Sequence, residues 1–303
     1  MKVFITGGMG FIGTNLTKVL SADGYEVTVL DRSMQEGRPV PAGVSRVQGD
    51  STKPGDWQDQ LAEHEVVINL AGASIFQRWN SEVKRVLRDS RILTTRNVVQ
   101  ALAARKGKET HLFSTDAVGY YGSHGDEILG EDNPPGTDFL ARLGADWEAE
   151  ALEAQEHGAR VVVTRFGLVM GKNGGVLGQL VPLFTRYLGS PLGSGKQWFS
   201  WVHETDLANM FLFLLERKDI EGAVNCTAPN PVRNEELTKT LARVLGRPVI
   251  MPFVPAFMLR LVLGEFTNVI VEGQRVVPAK LLDNGFDFRY PELEGALQAI
   301  LKA

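Results

Sequence analysis

The chain has 303 residues, 44% hydrophobic and 22% charged, which suits one large α/β domain or two smaller ones. A formal net charge of −4 without a basic block argues against a nucleic-acid binder. A single cysteine, Cys226, excludes an internal disulfide and a multi-cysteine zinc site.

In chain order, Val3–Ile5 reads as a buried parallel strand, followed at once by glycines and then by helical spacing over 14–20. Strand, glycine turn and helix form the context in which such a string marks a dinucleotide fingerprint. The glycines also fit Gly7-x-x-Gly10-x-x-Gly13, and the candidate contacts in the turn are Gly7, Gly8, Gly10, Phe11, Ile12 and Gly13. A secretory signal is not expected, because Gly7 interrupts the first apolar run. A second strand over 26–30 ends at Asp31, Arg32 and Ser33, where an adenosine ribose is met in this kind of fold. Asp31 favours NAD, while Arg32 and Ser33 favour NADP; the balance is tipped slightly to NAD.

A third strand, 45–48, leads to Asp50, a candidate acceptor for adenine. A fourth, 65–70, leads to Leu70, Ala71 and Gly72, small enough for close approach to the cofactor. Residues 80–105 are expected as one long helix with a solvated, mostly basic face. A fifth strand is expected to end at Ser114, with Thr115 and Asp116 beyond it at the crevice. After an acidic loop, 126–138, come a helix from Phe139 to about His157 and a sixth strand ending at Phe166, a further cofactor candidate.

From 172 the glycine and proline content changes the character of the chain. A substrate lobe is expected over 172–204 and 230–303, beside a dinucleotide-binding core of 1–171 that 205–229 completes. Helices are expected over 206–216, 234–245 and 291–301, with a strand over 223–226. Trp79, Gln197, Trp198, Trp201 and His203 are candidates to line the substrate pocket. The apolar stretches 210–215 and 253–263 are too short or too interrupted to span a bilayer and are expected as core helices. The five histidines show no ligand spacing, so no metal is expected. The expectation is a cytoplasmic protein with a small-molecule substrate, without nucleic-acid or membrane partners.

Thr6-Gly7-Gly8-Met9-Gly10-Phe11-Ile12-Gly13, Asn69-Leu70-Ala71-Gly72, Arg165-x-Gly167 and Trp201-Val202-His203-x-x-Asp206 together resemble the extended short-chain dehydrogenases/reductases, the NAD-dependent epimerase/dehydratase class. Arg78-Trp79, Asp89-Ser90-Arg91, Asp146-Trp147-Glu148 and Glu272-Gly273-Gln274-Arg275 narrow the resemblance to its nucleoside-diphosphate-sugar epimerase-like subfamily. The resemblance implies a doubly wound parallel Rossmann sheet with a small C-terminal substrate lobe, and a homodimer paired through 80–105 and the helix at Phe139. It also implies a Tyr-x-x-x-Lys pair, but none occurs, and the matching stretch reads Phe139-Leu140-Ala141-Arg142-Leu143. Asp116 is then the first candidate proton carrier, with Tyr120, Tyr121 and His203 behind it. Two readings follow: an atypical NAD(P)-dependent epimerase or reductase acting on a hydroxylated, sugar-nucleotide-type substrate, or a non-catalytic dinucleotide sensor.

Overall fold

Val3, Phe4 and Ile5 are all fully buried, which a strand achieves only when both faces of its sheet are covered. The computed structural model describes residues 1–33, 40–172 and 174–302. Its central sheet holds β1 (Lys2–Thr6), β2 (Glu26–Asp31), β3 (Ser45–Gln48), β4 (Val66–Asn69), β5 (His111–Ala117), β6 (Arg160–Phe166) and β7 (Gly222–Cys226). The spatial order is β7-β6-β5-β4-β1-β2-β3, every neighbouring pair parallel. Ile5 of β1 is level with Val29 on one side and Ile68 on the other. The strand order therefore reverses at β1, and such a reversal opens a crevice at the carboxyl ends of the strands.

Helices of eight residues or more are α1 (Phe11–Ala22), α2 (Ser81–Leu102), α3 (Phe139–Leu152), α4 (Gly175–Thr185), α5 (Glu204–Glu216), α6 (Asn234–Leu245), α7 (Ala256–Leu263) and α8 (Leu293–Leu301). Leu16 and Leu20 of α1 and Phe211 and Leu214 of α5 pack on one face of the sheet, against Val3, Ile5 and Val29. On the other face Val98 and Leu102 of α2 pack with Phe4, Val67 and Leu112. A further core of Trp201, Leu237, Leu241 and Leu297 gathers α6 and α8 with part of α4. Cys226, the last residue of β7, is fully buried and free, and burial pushes its thiol pKa upward.

Several boundaries differ from expectation. Asn80 caps α2 by accepting the Val83 N–H (2.8 Å), and the α-helix stops at Leu102, before a 3₁₀ turn over Ala103–Arg105. Its basic face is less free than a solvated helix implies. Lys84, Arg85, Arg88 and Arg96 pair with Glu265, Glu82, Asp146 and Glu150. Arg105 is buried and donates to the Ala62 and Glu109 carbonyls and to the Thr110 hydroxyl. The helix expected to reach about His157 ends at Leu152 and tightens into a turn.

Met210–Leu215 lies in the core as expected, but α7, in the middle of the other apolar stretch, has no buried residue. No described helix is long and apolar enough to cross a membrane. Residues 34–39, 173 and 303, which the expected core and lobe ranges include, lie outside the described residues.

Candidate functional site

The turn after β1 divides its work among three glycines. Gly7 has φ +68°, and a Cβ on it would lie 2.9 Å from the Ala71 nitrogen, so the turn needs glycine both for conformation and for contact with the chain after β4. Gly13 sits against the Gly7 carbonyl and the Gly8 Cα with no room for a Cβ, which lets α1 close on the turn. Gly10 is exposed and faces open space apart from the Gly7 oxygen. Gly8 is buried, and a Cβ on it would lie 2.5 Å from Val29, so its role is packing rather than clearance for a ligand. The operative spacing is thus Gly7-x-x-Gly10-x-x-Gly13. Gly10 is the N-cap of α1 with no side-chain cap, and the first intrahelical bond runs from Thr14 N–H to the Gly10 carbonyl. The N–H groups of Phe11, Ile12 and Gly13 therefore have no intrahelical acceptor, and they stand at the positive end of the helix.

They open onto a cavity of about 540 Å³ lined by Gly7, Gly10, Phe11, Ile12, Gly13, Leu70, Gly72 and Phe166. Ala71 lies between two lining residues and donates its N–H to the Thr6 hydroxyl (3.3 Å). Thr115, expected at the crevice, is on the same wall, and the sequence reading missed Ser74, Phe76, Gly174, Gly175, Gly178 and Gln179 beside it. The signal was present in the glycines of 171–178: Gly174 and Gly175 are small because the Phe11 ring lies against them.

At the carboxyl end of β2, beside the glycine turn, Asp31 is buried and ion-paired with Arg46, and it accepts the Ser33 N–H (3.2 Å). Arg32 and Ser33 are exposed. Asp50 accepts from the backbone N–H and the hydroxyl of Thr52, closing its own turn.

The expected catalytic residues are placed differently. β5 runs on to Ala117, with Asp116 level with Arg165, so strand alternation turns Thr115 to the cavity and Asp116 away from it. Asp116 is buried against Gly144 of α3, where a Cβ would lie 2.8 Å from its Oδ2. Its Oδ1 accepts the Ala117 N–H (2.7 Å). Burial, then the charge of Glu148 and a proton-mediated approach to it, holds the Asp116 carboxyl well above the usual carboxylate range.

Arg165 grips Glu148 with Nε (2.6 Å) and Nη2 (2.8 Å) and donates through Nη1 to the Tyr121 hydroxyl (2.8 Å). Tyr121 is fully buried and donates to Asn225 (2.7 Å); burial raises its pKa to about 12. Tyr120 lies under the Arg165 guanidinium, 3.6 Å from ring centroid to Cζ. Asp116 and Tyr121 thus belong to a buried polar network behind the cavity wall, correcting the expectation that they face a substrate.

Because Asp116 keeps its proton on folding, stability falls as pH rises above 3.8, the value of a free carboxyl, and levels off once the folded group ionises. Asp116→Asn removes this dependence at nearly the same size and keeps an acceptor for the Ala117 N–H. Its melting temperature relative to the parent is therefore expected to rise with pH, and a pH-independent difference would contradict the protonated state.

The five candidate substrate residues do not gather on one wall. Trp79 is buried between Phe139 (5.5 Å) and Phe266 (5.4 Å), in an apolar cluster with Leu143 and Trp147. Gln197 is buried with its amide donating to the Leu192 and Ile270 carbonyls. Trp198 donates to Asp126 and is flanked by Arg233 and Arg275. Trp201 is wholly buried in the α6–α8 core. His203 caps α5 by accepting the Thr205 N–H (3.0 Å) and stacks on Tyr290 (3.9 Å). Burial, helped by Arg289, lowers its pKa to about 4, so it is neutral near pH 7.

The chain matches the NAD dependent epimerase/dehydratase family over residues 3–226 and a domain of unknown function over 254–300. It is 39% identical to the chloroplastic epimerase family protein SDR39U1 homolog of Arabidopsis thaliana, covering 100% of this chain and 87% of that protein. Identity to the epimerase family protein YfhF of Bacillus subtilis is 37%, over 99% and 98%. The crystal structure of the human epimerase family protein SDR39U1 with NADPH superposes with a TM-score of 0.86 at 32% identity, covering 100% of this chain and 99% of that one.

Proposed function

Because the chain belongs to the NAD dependent epimerase/dehydratase family, we propose that it binds NADP(H) in the crevice over β1, β4 and β5 and acts as a reductase or epimerase on a hydroxylated or carbonyl substrate. The observation that carries the reading is the cavity of about 540 Å³, within the roughly 300–1,000 Å³ of small-molecule sites. It joins an uncapped helix end and the open Gly10 to the polar Thr115. When bound, the dinucleotide supplies a hydride donor or acceptor. The chain's part is to hold its diphosphate at the N–H groups of Phe11–Gly13 and to leave room for it at Gly10, Leu70 and Gly72. Thr115 carries a buried hydroxyl without a hydrogen-bond partner among the described residues, and we assign it to the reacting oxygen of the substrate.

Two observations support NADP over NAD, reversing the slight lean read from Asp31. The Asp31 charge is compensated by Arg46 within the chain, and Arg32 is exposed beside it. The human relative was solved with NADPH. Arg32→Ala is expected to weaken NADPH about 10- to 100-fold, the value of a charge-assisted hydrogen bond, and to leave NADH little changed. Equal losses for both cofactors by fluorescence titration would remove the assignment.

The second reading, a dinucleotide sensor, rests on Phe139 and Leu143. Both lie in the apolar cluster around Trp79 and Phe266, where neither can carry a proton. Absorbance at the nicotinamide band decides between them, with NADPH and a panel of carbonyl compounds and sugar nucleotides. A change in absorbance, or an epimerised sugar found by chromatography when the oxidised cofactor is supplied, supports the enzyme, and tight NADPH binding with neither transfers the reading to the sensor.

A further inference from the structure

Exposed apolar side chains are unevenly spread over this chain. Ten of the seventeen large exposed hydrophobic residues among the described residues fall in 183–188 and 250–262, a concentration unlike the scattered apolar residues of an ordinary surface. The two segments are tied together through the residues beside them. The Val254 N–H donates to the Pro191 carbonyl (2.8 Å), the Gly193 N–H to the Val254 carbonyl (2.9 Å), and Arg247 to the Tyr187 hydroxyl (2.7 Å). α7 lies largely in the second segment, with Phe257 68%, Leu261 73% and Val262 69% exposed, and Ile250 before it at 65%. Residues 257, 258, 261 and 262 share one side of the helix by their spacing.

Charge selects the occupant. The charged residues of 183–188 and 247–265 are Arg186, Arg247, Arg260 and Glu265, and Glu265 is paired with Lys84, so the excess charge here is positive in a chain whose net charge is −4. A twofold contact with a second copy would set this cationic rim against itself. No residue of α7 is buried, and only Leu263 at its end packs on the cluster around Trp79 and Phe266. Its eight residues span about 12 Å, too short to cross a bilayer and suited to lying along an interface.

We infer that this face seats the protein on an anionic lipid surface. Phe257, Leu261 and their neighbours enter the headgroup boundary, and Arg186, Arg247 and Arg260 meet lipid phosphates. The inference departs from the sequence expectation of no membrane partner, and it stands apart from the dinucleotide reading.

The test is sedimentation of the full chain with vesicles of phosphatidylcholine alone, and of phosphatidylcholine mixed with phosphatidylglycerol. Binding to the anionic vesicles is expected to be at least about tenfold tighter and to weaken with salt. The exposed pair Phe257→Ser and Leu261→Ser, made together, is expected to abolish vesicle binding while circular dichroism and NADPH affinity stay unchanged. Arg186→Glu with Arg260→Glu is expected to erase the preference for anionic vesicles. No sedimentation with either vesicle overturns the inference, as does anionic binding that survives the Ser pair. So does a dimer in sedimentation velocity that the Ser pair dissolves, which would make the face a contact between copies.

Discussion

Gly10→Val is expected to give a folded chain that has lost dinucleotide binding. Gly10 has φ −78°, open to any residue, and a Cβ there approaches only the Gly7 oxygen, at 3.2 Å. The turn therefore survives, while the isopropyl group occupies the space onto which the N–H groups of Phe11, Ile12 and Gly13 open. Losing two such contacts to a charged diphosphate, each worth about 1.5–3 kcal/mol, lowers affinity at least about 100-fold. Gly13→Ala fails differently, because its Cβ would fall on the Gly7 carbonyl and break the turn itself. Calorimetric titration alongside circular dichroism separates the two, and unchanged affinity in folded Gly10→Val would remove the diphosphate assignment.

Arg165→Met is expected to cost about 3–5 kcal/mol of stability, the range seen when one member of a buried ion pair is removed. The Arg165 side chain is 4% exposed and carries the hydrogen bonds that compensate Glu148, whose charge helps raise the pKa of Asp116. Without the guanidinium, Glu148 loses both donors that grip it, and the Tyr121 hydroxyl and the Glu131 carbonyl each lose one. Adding Glu148→Met is expected to recover much of the loss, because the uncompensated charge goes with it. Urea unfolding midpoints give both numbers. A single variant as stable as the parent would show that solvent reaches Glu148.

The parallel sheet was legible because β1, β4 and β6 carry apolar runs that only double-sided burial explains, and the glycine turn because its spacing follows a packing need. The catalytic end was not, for local reasons. Whether Asp116 faces the cavity turns on three more residues of β5, and Ser114-Thr115-Asp116-Ala117 contains no breaker that marks its end. Trp201, His203 and Gln197 read as pocket residues because they are polar or aromatic and follow a glycine-rich stretch. Their partners, the Asn230 carbonyl, Tyr290 and the Ile270 carbonyl, lie 29, 87 and 73 residues further along the chain. The 253–263 stretch misled in the opposite sense, since apolar composition signals a covered face without saying what covers it. Family resemblance, carried by 6–13, 69–72, 165–167 and 201–206, located the cofactor half but was silent on what replaces the proton-carrying pair.

Cys226 turns the interior of β7 into a reporter. The chain has one sulfhydryl; it is wholly shielded, and burial disfavours the thiolate that alkylating reagents require. Labelling must therefore wait for the strand to leave the sheet, so the rate at which an aromatic disulfide reagent is consumed counts excursions from the native state rather than surface chemistry. No engineered tag or fluorophore is required, and every variant that retains Cys226 carries the same clock.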